Sequence, residues 1–553
     1  MRLSLPLALA AAAATAPATP PMQPAVSTAY QEFVRVDLVQ LNFLARDARG
    51  RPVTDLKADD IEVVAGGRKQ EIAFLQPYYT PRGAAAQSPG TATVPAPAAG
   101  ESGAQKPAAP PARAGAVTPG RWVILFFDSA SAGPATMVRA VEAARAFVTT
   151  GIRAGDQVAV VLFDGQTKVI QSFTTETAVL EGAVARVASS ADRAGADRFA
   201  EIETLMDVLE TCQSSNQEAC AQRHASAYVA DRLREADGLL RALILYVRAL
   251  TPIPDIKTLV LFSEGFSRSP ASDTFDAATV VLGTSVASRM LTSPDPRLER
   301  SLAELTQAAA AGRTSIFTVN PGAGSRPGAA SAARKDPLSE VSNPGQIDAF
   351  RRAEQNMRFG LTELARLTGG VANESPDVGK ALREVIDLAP GLYTVGFIPA
   401  GDSDDVHDVR IRVKRKGVEV QARREVPLAP SMPPLTGSFE VEPLACDTGG
   451  RRQATVKLRL DRNRLVFEKV DKQWAANFSL FLRVLAPDGG APLYERYHFY
   501  SIVNTPEEVS AGHLPDPALE MTLALPCRGL VVLATVMDAA GGGRGAFEAQ
   551  IAP

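Results

Sequence analysis

The sequence contains few histidines and few cysteines, four of each among 553 residues. The histidines are far apart, and none has the HxxxH spacing typical of zinc ligands. None lies in a nucleophile-elbow or papain-like context, which argues against a histidine-dependent catalytic triad. The histidines are His224, His407, His498 and His513. A CxxC pair is also missing, so neither residue type predicts a zinc site.

Net charge is nearly absent as well. Lys and Arg together number 58 and Asp and Glu 61, which gives a formal charge of −3. A general nucleic-acid binder needs a basic surface, so we expect no nucleic-acid partner.

Beyond the N-terminus the chain has no apolar run of about 20 residues, and we therefore expect no transmembrane segment. Hydrophobic residues make up 46% of the chain, enough for buried cores.

The N-terminus and the cysteines predict export. In residues 1–18, Arg2 precedes the apolar run LSLPLALAAAAA, and Ala16-Pro17-Ala18 matches the pattern of a secretory cleavage site. The alternative, a membrane anchor, requires a longer run. A secreted or periplasmic location suits disulfides. Of the three possible pairings, the simplest joins Cys212 to Cys220 and Cys446 to Cys527.

The middle of the chain, residues 121–390, has the pattern of an α/β domain. Continuous apolar runs such as VILFF and TLVLF predict strands buried on both faces, and amphipathic segments between them predict helices. This alternation predicts a mostly parallel, Rossmann-like sheet. Residues 81–120, which precede the domain, are rich in Ala, Pro and Gly and are interpreted as a disordered linker.

Short β segments flank this domain. Residues 31–80 and 391–427 are each too small to fold alone, so we predict two parts of one β-sandwich into which the α/β domain is inserted. Residues 436–553 alternate between polar and apolar positions over an Ig-like length, which predicts a separate C-terminal β-sandwich. The remaining segments, 19–30 and the proline-rich 428–435, are predicted to be a flexible lead and a linker.

Oxygen-bearing residues follow two of the predicted parallel strands. Asp128, Ser129 and Ser131 come after the first strand, and Ser263 and Glu264 come after the strand TLVLF. Ligands of open parallel sheets bind at the carboxyl ends of the strands. Oxygen donors suit a hard divalent cation such as Mg²⁺.

These motifs resemble a von Willebrand factor type A (VWFA) domain. The resemblance rests on Asp128-Ser129-Ala130-Ser131 after VILFF, GDQVAVVLFDG at 155–165 and TLVLFSEG at 258–265. With the flanking segments TVNPG, LTELARLTGG and GLYTVGFIP, the chain from 31 to 427 is similar to the VWFA-related secreted proteins abundant in acidobacteria. Residues 436–553 are not covered. The resemblance implies binding of protein partners through a metal-ion-dependent adhesion site.

The family's adhesion site has the pattern Asp-x-Ser-x-Ser, then a Thr, then an Asp in a later loop. Here both serines are shifted by one position, Glu264 stands at the later Asp, and only Asp197 could replace the Thr. The resemblance therefore implies a degenerate site that holds Mg²⁺ or Mn²⁺, or no cofactor. Its predicted residues are Asp128, Ser129, Ser131, Asp197 and Glu264. The structural alternative is that Asp128 caps the following helix.

Three functional hypotheses follow. The first is a secreted, non-enzymatic module for protein interaction or adhesion, with no catalytic residues and an unidentified protein partner. The second is an envelope scaffold protein with a vestigial type A domain. The third is a hydrolase that uses Ser263 or Ser129 with Glu264, although no base or oxyanion motif accompanies them.

The loop from Cys212 to Cys220 is expected to be a disulfide-tied insertion at the ligand edge of the sheet.

Overall fold

The computed structural model describes most of the chain between Val39 and Ala552. The described ranges are 39–78, 120–190, 198–212, 217–288, 296–324, 344–398, 409–422, 434–470, 473–487, 492–504 and 516–552. Several predicted features lie outside these ranges. They are the signal peptide, the flexible lead at 19–30, all but the last residue of the 81–120 linker, most of the 428–435 linker and the candidate ligand Asp197.

The described residues mix strands and helices. In chain order the strands are β1 Val39–Asp47, β2 Ile61–Ala65, β3 Arg68–Pro77, β4 Trp122–Asp128, β5 Gln157–Phe163, β6 Thr167–Thr174, β7 Lys257–Phe262, β8 Thr314–Val319, β9 Ala372–Asn373, β10 Leu392–Ile398, β11 Arg410–Val413, β12 Val418–Ala422, β13 Gly437–Pro443, β14 Arg451–Leu460, β15 Glu468–Val470, β16 Gln473–Leu485, β17 Tyr494–Asn504, β18 Ala518–Pro526, β19 Leu530–Asp538 and β20 Arg544–Ile551. The helices are α1 Pro134–Thr150, α2 Thr177–Ala188, α3 Arg198–Thr211, α4 Gln217–Ala249, α5 Pro270–Leu282, α6 Thr284–Ala287, α7 Pro296–Ala311, α8 Pro344–Leu367 and α9 Val378–Leu388.

The central sheet has the order β6-β5-β4-β7-β8-β9. Its strands are parallel except β6, which returns antiparallel to β5. Helices α1, α2 and α9 pack on one face, and α4, α7 and α8 pack on the other. Apolar runs such as that of β4 are therefore buried on both sides, as expected of a parallel sheet covered by helices. The α/β mixture predicted from the sequence is confirmed.

Strands from before and after the central sheet lie together in a second sheet, with the order β11-β2-β3-β10-β1-β12. β10 lies between β1 and β3 and is antiparallel to both. β11 and β12 are at opposite ends of this order, yet only four residues, 414–417, connect them. The sheet must therefore curl until its edges meet. It encloses an apolar core that includes Phe43, Val63, Tyr393 and Phe397.

The C-terminal part forms two further sheets, β13-β14-β18 and β15-β16-β19-β20 with β17 beside β16. Their inner faces enclose one apolar core. The disulfide Cys446–Cys527 joins the loop before β14 to the residue after β18, and a second disulfide joins Cys212 to Cys220. The predicted pairing is therefore confirmed.

The outer face of β16 and β17 packs on the central α/β region. The side-chain hydroxyls of Ser479 and Tyr497 both donate hydrogen bonds to the carbonyl oxygen of Ala249, at 2.6 and 3.1 Å. Ala249 is the last residue of α4, where helix carbonyls have no partner within the helix. Trp122 of β4 lies edge-on to Phe481 of β16, with ring centroids 6.3 Å apart. The C-terminal sandwich therefore caps α4 and covers one edge of the central region.

Removing the Tyr497 hydroxyl with Tyr497→Phe is expected to lower the free energy of unfolding by about 0.5–1.5 kcal/mol, because one of the two hydrogen bonds to the Ala249 carbonyl is lost while that from Ser479 remains. Urea denaturation measures the change. Tyr500→Phe is the matched control, since Tyr500 projects from the opposite face of β17 toward the sandwich core. Equal losses in the two variants would contradict the capping role of Tyr497.

Several helices form a separate layer with its own apolar core. This layer, called the cap below, consists of α3, residues 217–236 of α4, α5, α6 and residues 344–357 of α8. The disulfide Cys212–Cys220 joins the end of α3 to the start of α4. The amphipathic segments 226–250 and 350–367 predict helices, but no sequence pattern predicts α3, α5 or α6, so the cap as a unit is not expected from the sequence.

Candidate functional site

Two neighbouring parallel strands deliver the candidate site residues. β4 ends at Asp128, and β7, which pairs with it, is followed directly by Ser263. Because both strands run in the same direction, their carboxyl ends lie side by side. Asp128 is 1% exposed and Ser263 is fully buried.

Asp128, Ser131 and Ser263 form one hydrogen-bonded group, called the Asp128 cluster below. The Ser263 hydroxyl donates to Oδ2 of Asp128 at 2.7 Å, and the Ser131 hydroxyl donates to the same oxygen. The backbone N–H of Ser131 donates to Oδ1 at 3.2 Å, and the two serine hydroxyl oxygens are 3.0 Å apart. Three side-chain oxygens therefore converge at the end of the sheet.

The other predicted site residues have different partners. The Ser129 hydroxyl donates to the carbonyl oxygen of Phe163 at 3.0 Å. Oε1 of Glu264 accepts from the backbone N–H of Gly133 at 3.3 Å. Gly133 is the N-cap of α1, so Glu264 holds the residue before the first turn of the helix, while Asp128 accepts from the backbone N–H of Ser131 in the turn that precedes it.

A close approach of the chain shapes the loop after Ser263. Gly265 has a φ of 103°, a conformation that residues with a side chain rarely adopt. A Cβ atom at this position would lie 2.5 Å from the carbonyl oxygen of Met357 in α8. Glycine therefore allows the strand-end loop to lie directly against the cap.

The Asp128 cluster has the chemistry of a weak site for a hard cation. It offers one carboxylate and two hydroxyls, and Mg²⁺ is commonly held by one or two carboxylates while it keeps several waters. Within the described ranges, one group of three His, Cys, Asp or Glu ligand atoms lies close together, in Cys212, Cys220 and His224. Its two sulfurs are joined in a disulfide, so these residues do not form a metal site. A cation at the Asp128 cluster would therefore depend on hydroxyls and water.

A cleft opens between the strand ends and the cap. Its empty volume is about 550 Å³, part of it open to solvent. The strand-end side contributes Asp128, Ala130, Ser131, Phe163, Gly265, Phe266 and Ser267. The helices contribute Ile202, Tyr228, Arg232, Glu235, Ala236, Leu239, Asp273, Ala353 and Met357. The Asp128 cluster is therefore reached through a cleft, not from an open surface.

The cap brings charged groups into this cleft. The Arg232 guanidinium lies 2.5 Å from a carboxylate oxygen of Glu201 and 2.8 Å from one of Glu235. Oδ1 of Asp273 accepts from the side-chain amide of Asn356 at 2.6 Å. Burial raises the pKa of Asp273 to about 6, although its hydrogen bonds to Asn356 and Ser267 act in the opposite direction.

The raised pKa of Asp273 predicts a pH-dependent stability. Its carboxyl ionises near the ordinary value of 3.8 in the unfolded chain but near 6 in the folded protein, so its contribution to stability falls as pH rises between these values. Asp273→Asn is therefore expected to raise the free energy of unfolding at pH 8 by about 1–3 kcal/mol and to change it little at pH 4. Denaturation at the two pH values measures this, with exposed Asp231→Asn as control. A gain at pH 4 equal to that at pH 8 would contradict the expectation.

Sequence reasoning identified Asp128, Ser131 and Ser263 because each follows a buried strand. It missed Tyr228, Arg232, Glu235 and Asp273, which come from the cap. One signal was available: the segment between β6 and β7, residues 175–256, is much longer than a single crossover helix requires. That excess length indicated added structure near the strand ends but not which of its side chains face the site.

Comparison with known proteins gives little further information. No family model matches the sequence, and no curated protein matches it. One similar solved structure is an aerotolerance-related membrane protein from Bacteroides fragilis NCTC 9343 with multiple mutations to serines, at 10% identity and a TM-score of 0.23, covering 49% of this chain and 98% of that one. Another is target SoR45 of the Northeast Structural Genomics Consortium, at 9% identity and a TM-score of 0.13, covering 22% and 82%. These TM-scores are too low to support an argument about fold or function.

Two observations bear on the compartment. Disulfides persist mainly outside the reducing cytoplasm, and this chain has two. Among the helices in the described part of the chain, none combines the length and hydrophobicity of a membrane span.

Proposed function

We propose that this chain is an exported, non-enzymatic protein-interaction module that binds its partner at the Asp128 cluster and the cleft above it. The observation that carries the proposal is the position of the cluster. Three side-chain oxygens meet at the carboxyl ends of adjacent parallel strands, where ligands of open α/β sheets bind, and a cleft leads to them.

The proposal assigns residues 121–390 to a type A domain inserted into a β domain built from 31–80 and 391–427. The strand order of the central sheet, with one antiparallel edge strand, supports this assignment. So does the sheet shared by β1–β3 and β10–β12. The adhesion site is degenerate in this proposal, since Ser263 takes part in the cluster while Ser129 and Glu264 bond elsewhere.

Asp128, Ser131 and Ser263 would hold Mg²⁺ or Mn²⁺ if the site takes a metal ion. The ion would supply a positive charge for an acidic group of the partner. We expect weak binding, because only one of the three protein oxygens is anionic. Calorimetry with MgCl₂ and MnCl₂ measures it, and Ser263→Ala should reduce the heat. No heat and no shift in melting temperature would remove the metal from the proposal.

The cap restricts how a partner reaches the cluster. Asp128 and Ser131 are 1% and 6% exposed, so a flat protein surface does not contact them. A protruding side chain or a narrow segment that enters the cleft does. This favours recognition of an extended partner segment over contact between two broad faces.

The hydrolase hypothesis receives less support. The lining of the cleft contains no histidine or lysine among the described residues that could act as a base for Ser263 or Ser129. The Ser263 hydroxyl donates to Asp128, the Ser129 hydroxyl donates to the carbonyl oxygen of Phe163, and Glu264 accepts from the backbone N–H of Gly133, so Glu264 is not bonded to either serine hydroxyl in these contacts. Labelling of the full chain by a fluorophosphonate probe, lost in Ser263→Ala, would reverse this conclusion.

The proposal is tested by capture. The full mature chain is immobilised and incubated with the exported protein fraction of its source. We expect a partner that is retained by the wild type and lost from a variant with Ser131→Ala and Ser263→Ala. Ser438→Ala, an exposed serine of β13, is the matched control and should retain it. Failure of the wild type to retain any partner, or equal retention by the double variant, would favour the scaffold hypothesis.

A further inference from the structure

The disulfide between Cys212 and Cys220 has an imidazole beside it. Cys212 follows α3, and Cys220 lies in the first turn of α4. His224 comes four residues after Cys220, so these two side chains lie on the same face of the helix. The Sγ atoms of both cysteines and a ring nitrogen of His224 all lie within 4.8 Å of one another. The fold therefore brings two sulfurs and one imidazole to a single point of the cap.

The disulfide prevents these residues from binding a metal ion only while it is intact. A dithiol reductant opens it by thiol–disulfide exchange. One thiolate of the reductant attacks a sulfur and the S–S bond breaks, and the second thiol then displaces the remaining protein sulfur. The reductant leaves as its own disulfide, and two electrons and two protons stay on Cys212 and Cys220. Thiolate and imidazole are the ligands that Zn²⁺ prefers in proteins.

The packing of the cap keeps the two cysteines together after reduction. Cys212, Leu209 and Ala221 are fully buried in the apolar core that α3 and α4 share. The Cα atoms of Cys212 and Cys220 are 5.6 Å apart. In a tetrahedral site with Zn–S distances of about 2.3 Å and Zn–N distances of about 2.0–2.1 Å, the donor atoms lie about 3.6–3.8 Å apart. Side-chain rotation without movement of the helices is therefore enough to bring the three donors to that spacing.

We propose that the reduced chain binds one Zn²⁺ ion through Cys212, Cys220 and His224. Water takes the fourth position, because the group supplies three protein ligands and His224 is exposed to solvent. Zinc then joins α3 to α4 in place of the disulfide, so that the cap over the cleft keeps a covalent or coordinate link in both redox states. This inference does not depend on the proposed function, since no partner takes part in it.

Titration with CoCl₂ tests the inference on the full mature chain, reduced with a phosphine that is then removed under argon. Co²⁺ bound by thiolates has a charge-transfer absorption in the near ultraviolet, which the oxygen ligands of the Asp128 cluster do not produce. We expect this absorption from the reduced chain, with a Kd at or below about 1 μM, and its loss when ZnCl₂ displaces the cobalt. Its absence from the reduced chain, or equal absorption by the oxidised chain, would overturn the inference.

Variants identify the ligands. His224→Ala is expected to weaken Co²⁺ binding at least about tenfold, because even the loss of a residue that only orients a metal ligand typically costs about 10–100-fold. Its fold is not at risk, since His224 is exposed, and Gln222→Ala, at an exposed residue of the same helix, is the matched control. Equal affinities of these two variants would contradict the assignment of His224.

The second disulfide provides a control for the sulfurs. Changing Cys212 and Cys220 to serine should abolish the charge-transfer absorption, and changing Cys446 and Cys527 to serine should leave it, because His224 accompanies only the first pair. Persistence of the absorption without Cys212 and Cys220 would contradict the inference.

Thermal melting distinguishes a structural link from loose binding. ZnCl₂ is expected to raise the melting temperature of the reduced wild type and not that of the variant with Cys212→Ser and Cys220→Ser, because an ion held by the folded cap stabilises it. Equal shifts in both would contradict the inference. If a partner is captured but the reduced chain binds no zinc, only this inference is wrong. If zinc binds but no partner is captured, only the proposed function is wrong.

Discussion

Replacing Arg121 with alanine is expected to lower the free energy of unfolding by about 3–5 kcal/mol, because it leaves a buried carboxylate without its counter-charge. Arg121 and Asp156 are both 2% exposed. Nε of Arg121 lies 3.1 and 3.0 Å from the two carboxylate oxygens of Asp156, and its Nη2 donates to the carbonyl oxygen of Gly151 at 2.8 Å. The pair ties the starts of β4 and β5 together, at the end of the sheet opposite the cleft.

Urea denaturation of Arg121→Ala measures this loss. Arg51→Ala is the control, since Arg51 forms an exposed pair with Asp47 and exposed ion pairs contribute little to stability. Replacing both partners, with Arg121→Met and Asp156→Asn, should recover part of the loss, because this pair leaves no buried charge and the Asn side-chain oxygen can still accept from a backbone N–H group at position 121 or 153. A cost for Arg121→Ala no larger than that of Arg51→Ala would contradict the assignment.

Removing the disulfide Cys446–Cys527 by changing both cysteines to serine is expected to cost about 4–5 kcal/mol in the chain-entropy model. The disulfide spans 81 residues and closes the end of the β14–β18 pair. Removing Cys212–Cys220, which spans only 8 residues, should cost about 2–3 kcal/mol, because a shorter loop loses less entropy in the unfolded chain.

Calorimetric melting of the two double variants measures this difference, with the oxidised wild type as reference. The expected order is a larger loss for the variant of Cys446 and Cys527, accompanied by faster proteolysis of the C-terminal sandwich. A larger loss for the variant of Cys212 and Cys220 would show that the cap depends on its disulfide through native contacts, contrary to the loop-length argument.

Much of the fold could be predicted because its signals are local. A fully buried strand needs a continuous apolar run, and VILFF and TLVLF became β4 and β7. Each disulfide joins the two cysteines that lie in the same segment of the sequence, so the pairing could also be predicted. The cap could not be predicted in the same way, because α3 has a weak apolar stripe and is held by contacts with α4 and α5, far away in sequence.

Only part of the candidate site could be predicted from the sequence, because side-chain directions at the strand ends are not set by local sequence patterns. Position after a strand places a residue at the sheet edge, and Asp128 and Ser131 are there. The direction in which a side chain points depends on the backbone conformation of the turn. The Asp-x-Ser-x-Ser pattern, shifted here by one residue, does not reveal that conformation. Ser129 therefore bonds Phe163 and Glu264 bonds Gly133 instead of joining the cluster.

The central claim is that a partner polypeptide binds in the cleft above Asp128, and site-specific photo-crosslinking tests it most directly. Benzoylphenylalanine replaces either Tyr228, which lines the cleft, or Trp474, a 37% exposed residue of the C-terminal sandwich. After illumination with the exported fraction, we expect a discrete crosslinked protein from position 228 that disappears when Ser131→Ala and Ser263→Ala are added, and none from position 474. A product from position 474 alone, or one from position 228 that persists in the serine variants, would contradict the account.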